Sequence, residues 1–226
     1  MKRVSFVSLL ILFIYPLYSE SFLVYEQKDV SYTPYYIILQ PMSIYVTVQG
    51  DDIIGFSLRD NERLTTRNGV LITFSSIEIT PYDFDIFKNA LKKALEWESI
   101  ASQNDVSEFS KTIPFEISSN NVSWTTYSGF VDHLIKKGET LTLEFTFSWS
   151  PERSRGALYI NSNIVNSSVS GSKVSFSFSK EYMYRDEIEL LLENITDEKI
   201  QEAIKNGRIQ QIEEEARKKR TETLFN

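Results

Sequence analysis

A strict alternation of apolar and polar residues from Thr140 to Ser150 is the feature that most constrains this fold. Successive side chains of a strand point to opposite faces, so such a segment buries one face and leaves the other in solvent. The segment therefore predicts an antiparallel strand whose Thr and Ser residues face outward. The apolar residues that predict its buried face are Leu141, Leu143, Phe145, Phe147 and Trp149.

Other segments show the same period of two. Residues 173–179 and 42–48 each carry apolar residues at every second position, and Gly50-Asp51 after the second predicts a hairpin turn into a strand over 54–58. Residues 70–79 change parity halfway, which predicts a bulge near Ser75-Ser76. Weaker strands are predicted over residues 22–27, 35–39, 112–117, 122–126 and 157–161.

A long amphipathic helix is predicted over Pro81 to Gln103. Thr80 is a good N-cap, proline suits the first helical position, and Asn104-Asp105 marks the end. Phe84, Phe87 and Leu91 form an apolar stripe broad enough to pack on a sheet. Apolar residues over 130–137, followed by Gly138, predict a second, short helix.

The last third of the chain is predicted to be helical, over 186–193 and again after Thr196, with an interruption at Gly207. Beyond it, three Glu residues stand four positions before Arg or Lys, as in Glu213 and Arg217, which stabilises a solvated helix. We therefore expect residues 196–226 to form a charged helical tail. Its narrow stripe of Ile209, Ile212 and Ala216 predicts docking to a protein partner or a second copy; the alternative is a soluble end that frays.

Together these elements predict an α+β fold: a mainly antiparallel sheet over residues 20–195, the long helix packed on it, and the helical tail. The order strand, strand, strand, helix occurs in residues 42–104 and again in 139–194. This order predicts an internal duplication of the unit.

The first 19 residues resemble a secretory signal peptide in their order: a basic head at Lys2-Arg3, an apolar run, and small Ser19. The run is too short to span a bilayer, which needs about 20 apolar residues. The chain contains no cysteine. We therefore expect a bacterial protein exported to the periplasm or the extracellular space, with no transmembrane span in the mature chain.

Charge and residue types exclude several functions. The net charge of −7 would repel nucleic acid, so no nucleic-acid partner is expected. His133, the single histidine, is expected to be a surface or half-buried residue, and no glycine-rich phosphate loop or nucleophile elbow occurs. No cofactor, metal site or catalytic residue is predicted. The carboxylates that would suit hydrolysis are the pairs Asp83 with Asp85 and Glu96 with Glu98, together with Glu78.

Tyrosines are the candidate binding residues: Tyr25, Tyr32, Tyr35, Tyr36, Tyr45 and Tyr159. The first four form a strip near the start of the chain that suits docking or, equally, packing on the core edge. The last two are expected on hydroxyl-rich sheet faces, which suit a sugar or peptidoglycan ligand but also describe any wet sheet face. Two functions follow: an exported non-enzymatic binding or interaction protein, and, as the alternative, a carboxylate-dependent hydrolase of a cell-envelope polymer.

Overall fold

The computed structural model describes residues 19–27, 29–33, 36–40, 42–60, 64–65, 71–126, 131–169, 173–175 and 182–225. Residues 1–18, which hold nearly all of the predicted signal peptide, lie outside these ranges, as do Tyr35 and residues 176–179 of one predicted strand. Strands β1 to β7 are Ser19–Glu26, Asp29–Thr33, Tyr36–Gln40, Met42–Gln49, Asp52–Asp60, Leu64–Thr65 and Leu71–Ile79. Strands β8 to β14 are Phe109–Ser119, Val122–Thr126, Val131–Leu134, Leu141–Ser150, Arg155–Ser162, Val165–Asn166 and Lys173–Val174. Helices α1 to α3 are Pro81–Gln103, Arg185–Asn194 and Asp197–Phe225.

The chain has the predicted α+β fold, built on antiparallel sheets. The larger sheet has seven strands in the order β1-β4-β5-β7-β9-β10, with β6 also paired to β7. The smaller sheet has the order β12-β11-β8, and two short ladders join β13 to β14 and β2 to β3. The two turn residues of the β4–β5 hairpin are Gly50 and Asp51, as predicted, and Gly50 has a φ of 62°, which glycine adopts without strain.

Helix α1 joins the two sheets in one hydrophobic core. It begins at Thr80, whose side chain accepts a hydrogen bond from the Asp83 backbone N–H at 3.1 Å, so the predicted cap is confirmed. It packs on all three strands of the smaller sheet and on β5 of the larger one. The ring of Phe84 stacks on Phe56 at 3.8 Å between centroids. Leu91 and Phe145 are both fully buried, as predicted.

The predicted short helix over 130–137 is wrong, because Val131–Leu134 forms β10, which pairs antiparallel with β9. The side chains alternate as in a strand: His133 and Ile135 are buried, whereas Leu134 between them is 57% exposed. His133 is therefore not a surface residue; its ring stacks on Trp124 and its Nδ1 is 2.9 Å from Ser167 Oγ. The helix prediction placed Leu134 on the apolar face, although its side chain points to solvent.

The structure also differs from the sequence prediction in the position of the β7 irregularity and in the strand pairing of the two segments predicted as repeats. The irregularity in β7 lies between Ile72 and Phe74 rather than at Ser75-Ser76. The segments 42–104 and 139–194 also pair their strands differently. Strands β4, β5 and β7 are neighbours in one sheet, whereas β14 pairs with β13 apart from the β11–β12 ladder.

Helix α3 passes through Gly207 without the predicted interruption. Its first turns lie on the body, since Ile200 and Ile204 are buried and Gly207 contacts the ring of Phe22. Every described side chain from 209 to 223 is exposed. The helix is therefore docked on β1 at its start and solvated from residue 209 to residue 223. None of the described helices has the length and apolar character needed to cross a membrane.

Candidate functional site

The candidate site lies on the outward face of the smaller sheet, opposite α1. On β11 this face presents Ser148 and Ser150, and on β12 it presents Arg155, Ala157 and Tyr159. The antiparallel register places Ser148 opposite Ala157 and Ser150 opposite Arg155. The hydroxyl row predicted from the sequence therefore lies directly beside Tyr159.

A short extended segment that precedes α2 supplies the second wall. Met183 forms a β-bridge with Leu158 of β12 through two backbone hydrogen bonds of 2.8 and 2.7 Å. The bridge buries Met183 and leaves Tyr182 and Tyr184 half-buried beside the sheet. The ring centroid of Tyr182 is 6.0 Å from that of Tyr159 and 4.8 Å from that of Tyr184. Three tyrosine rings thus form one continuous cluster.

Together these residues enclose a groove of about 330 Å³, which we call the tyrosine groove. Its lining also includes Trp149, whose indole N–H donates to the Val106 carbonyl at 3.1 Å. The residues that line it are Glu108, Ser148, Trp149, Ser150, Glu152, Arg153, Arg155, Ala157, Tyr159, Tyr182 and Tyr184.

Charges of both signs line the groove. The 3₁₀ turn Pro151–Arg153 places exposed Glu152 and Arg153 at one end, and the turn closes at Ser154 with a φ of 47°. The guanidinium carbon of Arg155 lies 3.2 Å from the centroid of the Tyr184 ring, and its Nη2 is 2.9 Å from Asp186 Oδ1. The ion pair and the ring contact hold Arg155 in a defined position.

Each tyrosine hydroxyl in the cluster can donate one hydrogen bond and accept others. A hydrogen bond between the Tyr182 and Tyr184 side chains raises the pKa of Tyr182, and the proximity of Tyr184 and Tyr159 adds to this, whereas nearby Arg153 opposes it. The ionised form of Tyr182, the central ring of the cluster, is therefore disfavoured.

A buried carboxylate supports β12 from below. Glu98 of α1 is 7% exposed and accepts hydrogen bonds from the Gly156 backbone N–H at 2.9 Å and from Arg185 Nε at 3.0 Å. Arg185 also donates to the Leu95 carbonyl and to Ser99 Oγ on α1. Glu98 thereby connects α1, β12 and the start of α2, the elements that carry the groove.

The structure places the tyrosines predicted as candidate binding residues in different parts of the fold. Tyr159 lines the groove. Tyr45 lies on the larger sheet with the Arg59 guanidinium 3.9 Å from its ring centroid, and Tyr25 is buried in the core. Tyr32 and Tyr36 lie in β2 and β3, where the structure describes the backbone alone, and Tyr35 falls outside the described residues.

Sequence reasoning missed Tyr182, Tyr184 and Arg155, and it identified Glu98 only as one of a carboxylate pair, not as the buried acceptor beneath β12. A signal for two of them is present, because Tyr182 and Tyr184 are two positions apart and would lie on one face of an extended segment. Their proximity to Tyr159, which is distant in sequence, follows from the Met183–Leu158 bridge and has no local signal.

The carboxylates that would suit hydrolysis bind other side chains or backbone groups, or line a different cavity. Asp83 caps α1, Asp85 pairs with Lys88 at 2.8 Å, and Glu96 pairs with Lys93 at 2.9 Å. Glu78 and Asp83 line a second cavity of about 260 Å³ beside the β7–α1 junction. Across the part of the chain that the structure describes, no group of three or more His, Cys, Asp or Glu side chains is placed to hold a metal ion.

Comparison with protein-family models, with curated proteins and with solved structures found no significant match.

Proposed function

We propose that this chain is an exported, non-enzymatic binding protein whose tyrosine groove takes a segment of a hydroxyl-rich envelope polymer, namely a glycan strand. The observation that carries the proposal is the half-buried cluster of Tyr159, Tyr182 and Tyr184 beside the serine row of β11. Sites for small ligands combine aromatic walls with a few placed polar groups, and this groove has both.

A sugar ring suits this lining chemically. Its C–H faces pack on aromatic rings, while its hydroxyls exchange hydrogen bonds with tyrosine and serine hydroxyls and with charged side chains. Glu108, Glu152, Arg153 and Arg155 bring both signs of charge to the groove, and the chain as a whole has a net charge of −7. This balance favours a neutral or mixed-charge polymer over a polyanion.

Co-sedimentation with insoluble peptidoglycan tests the proposal. The protein should enter the pellet with saturable dependence on the amount of peptidoglycan, and free N-acetylglucosamine oligomers should compete. Protein that remains in the supernatant at every ratio would contradict glycan binding.

The alternative of a carboxylate-dependent hydrolase has one observation in its favour: Glu108 and Glu152 line the same groove. Hydrolysis of a glycosidic bond uses two carboxyl groups that flank it. The same incubation should therefore be assayed for new reducing ends. Their release by the wild-type protein, together with its loss in Glu152→Gln, would assign the groove to catalysis.

The proposal of export rests on the first 19 residues, in which a basic head is followed by an apolar run and then by small residues. Glu20 is held by Arg208 at 3.3 Å, so cleavage just before Glu20 would retain this contact. N-terminal sequencing of protein from the envelope fraction should begin near Glu20 or Phe22. Intact Met1 on cytoplasmic protein would contradict export.

The exposed half of α3 supplies a second surface, and the proposal assigns it to protein association. It is solvated on all sides from residue 209 to residue 223 while remaining helical. A helix that presents Ile209 and Ile212 outward, at 46% and 68% exposure, suits docking to another helix.

A further inference from the structure

The exposed half of α3, residues 209–223, carries charges that its own chain does not neutralise. Ion pairs on the described part of this helix involve Lys199 with Glu202, Arg208 with Glu20 and Asp51, and Asp197 with Lys88. In the described range 209–223, no ion pair forms, so the predicted support from pairs such as Glu213 with Arg217 is absent. These charges are therefore available to a partner.

The order of the charges is what selects the partner. Residues 213–215 are all Glu, Ala216 follows, and residues 217–220 are all Arg or Lys. Successive residues of an α-helix are about 100° apart around the axis, so each block surrounds most of the helix circumference. The helix is thus negative over more than half of its circumference at one level and positive around most of it at the next.

We propose that α3 binds α3 of a second copy of this chain in antiparallel orientation, centred near Ala216. In that orientation the acidic block of each helix faces the basic block of the other, whereas a parallel pair would place like charges together. Residues one to three positions before Ala216 and the same distance after it have opposite charges, as with Glu215 and Arg217. The small side chain of Ala216 permits close approach at the centre. This inference rests on the part of the proposed function that assigns α3 to protein association.

The geometry leaves room for the two bodies. A helix rises about 1.5 Å per residue, so residues 209–225 extend roughly 25 Å beyond the body. Antiparallel pairing places one body at each end of the paired segment. The apolar contact is small, limited to residues such as Ile209 and Ile212, so the association is electrostatic, weak and sensitive to salt.

Charge reversal gives a direct test by sedimentation equilibrium of the purified full chain. Wild-type protein should approach twice the monomer mass as its concentration rises at about 0.01 M salt, and should return to monomer at about 1 M salt, where screening is short-ranged. An all-acidic variant and an all-basic variant should each stay monomeric, and their equimolar mixture should dimerise. The all-acidic variant carries Arg217→Glu, Lys218→Glu, Lys219→Glu and Arg220→Glu; the all-basic variant carries Glu213→Lys, Glu214→Lys and Glu215→Lys.

A variant that combines all seven substitutions is the matched control. It exchanges the two blocks and keeps antiparallel complementarity, so it should dimerise like the wild type. Circular dichroism should show unchanged helix content in each variant, and peptidoglycan co-sedimentation should be unchanged, because residues 213–220 do not line the groove. A wild-type protein that stays monomeric at low salt, or single-block variants that dimerise as it does, would overturn the proposal whether or not the groove binds glycan.

Discussion

At the scale of single residues, Glu98 is the side chain on which most of the site depends. It is buried, and it is the acceptor for both the Gly156 N–H and Arg185 Nε. A β carbon at residue 156 would lie 2.5 Å from ring atoms of Phe147, so β12 passes close to the core at this point. Close packing removes the Gly156 backbone N–H from water, and the Glu98 carboxylate supplies the hydrogen-bond acceptor that this N–H needs.

Glu98→Ala should therefore destabilise the fold by about 3 kcal/mol, the low end for a broken buried ion pair, because Arg185 remains partly exposed. Chemical denaturation measures this change. The matched control is Glu96→Ala, which removes an exposed pair with Lys93 and should cost no more than about 0.5 kcal/mol. Equal costs for the two variants would show that Glu98 does not anchor β12.

Gly207 shows how one residue can be misread from its propensity alone. Glycine costs about 1 kcal/mol in a helix interior, which led to the prediction of an interruption. Its role is to let α3 approach Phe22 of β1 closely, because a β carbon at residue 207 would lie 2.1 Å from Cδ1 of Phe22. Contact with a residue at the other end of the chain has no local sequence signal.

Gly207→Ala should thus destabilise the protein by about 1–2 kcal/mol through overpacking, despite the better helix propensity of alanine. Asn206→Ala, at an exposed neighbouring position, gains propensity without the clash and should be neutral or slightly stabilising. Thermal denaturation of both variants measures the difference. A stabilised Gly207→Ala protein would show that α3 does not pack tightly on β1.

At the scale of secondary-structure elements, helix α1 and strand β11 were predictable because periodicity alone defines them. The cap at Thr80 and the alternation from Thr140 to Ser150 agree with the burial of their apolar faces. Strand β10 was not predictable, because a few apolar residues fit both a helix and a strand, and pairing with β9 decided the outcome.

The packing of α1 on the sheets predicts how much stability is lost when a core side chain is truncated. Leu91→Ala and Phe145→Ala should each cost about 2–5 kcal/mol, since both side chains are fully buried and truncation leaves a cavity. Thr142→Ala, on the outward face of β11, should be much milder. Denaturant melts that place either core variant within about 0.5 kcal/mol of wild type would contradict the packing.

Truncation of α3 separates its docked and solvated halves. A chain that ends after Gln211 keeps the contacts of Ile204, Gly207 and Arg208 and should melt within a few degrees of the full chain. A chain that ends after Glu202 loses those contacts and should melt markedly lower. Equal melting of the two truncated proteins would show that the Arg208 region contributes nothing to stability.

At the scale of the whole molecule, the fold class followed from the sequence, but the site did so only in part. Tyr159 and the serine row were predicted to face outward because every second residue of a strand lies on the same face of its sheet. Tyr182, Tyr184 and Arg155 reach them through sheet pairing and packing between residues distant in sequence, which periodicity cannot encode. The same limit explains why Tyr25 and Tyr45 were candidate binding residues alongside Tyr159, although the structure places them elsewhere.

The central claim is that the tyrosine groove binds a glycan segment, and isothermal titration with a tetramer of β-1,4-linked N-acetylglucosamine tests it most directly. Wild type should bind saturably. Tyr182→Ala removes the ring between Tyr159 and Tyr184 and should raise Kd at least tenfold, which is about 1.4 kcal/mol. Tyr45→Ala, which removes a tyrosine from the other sheet, should leave Kd unchanged. Absence of binding by wild type, or equal weakening in both variants, would contradict the claim.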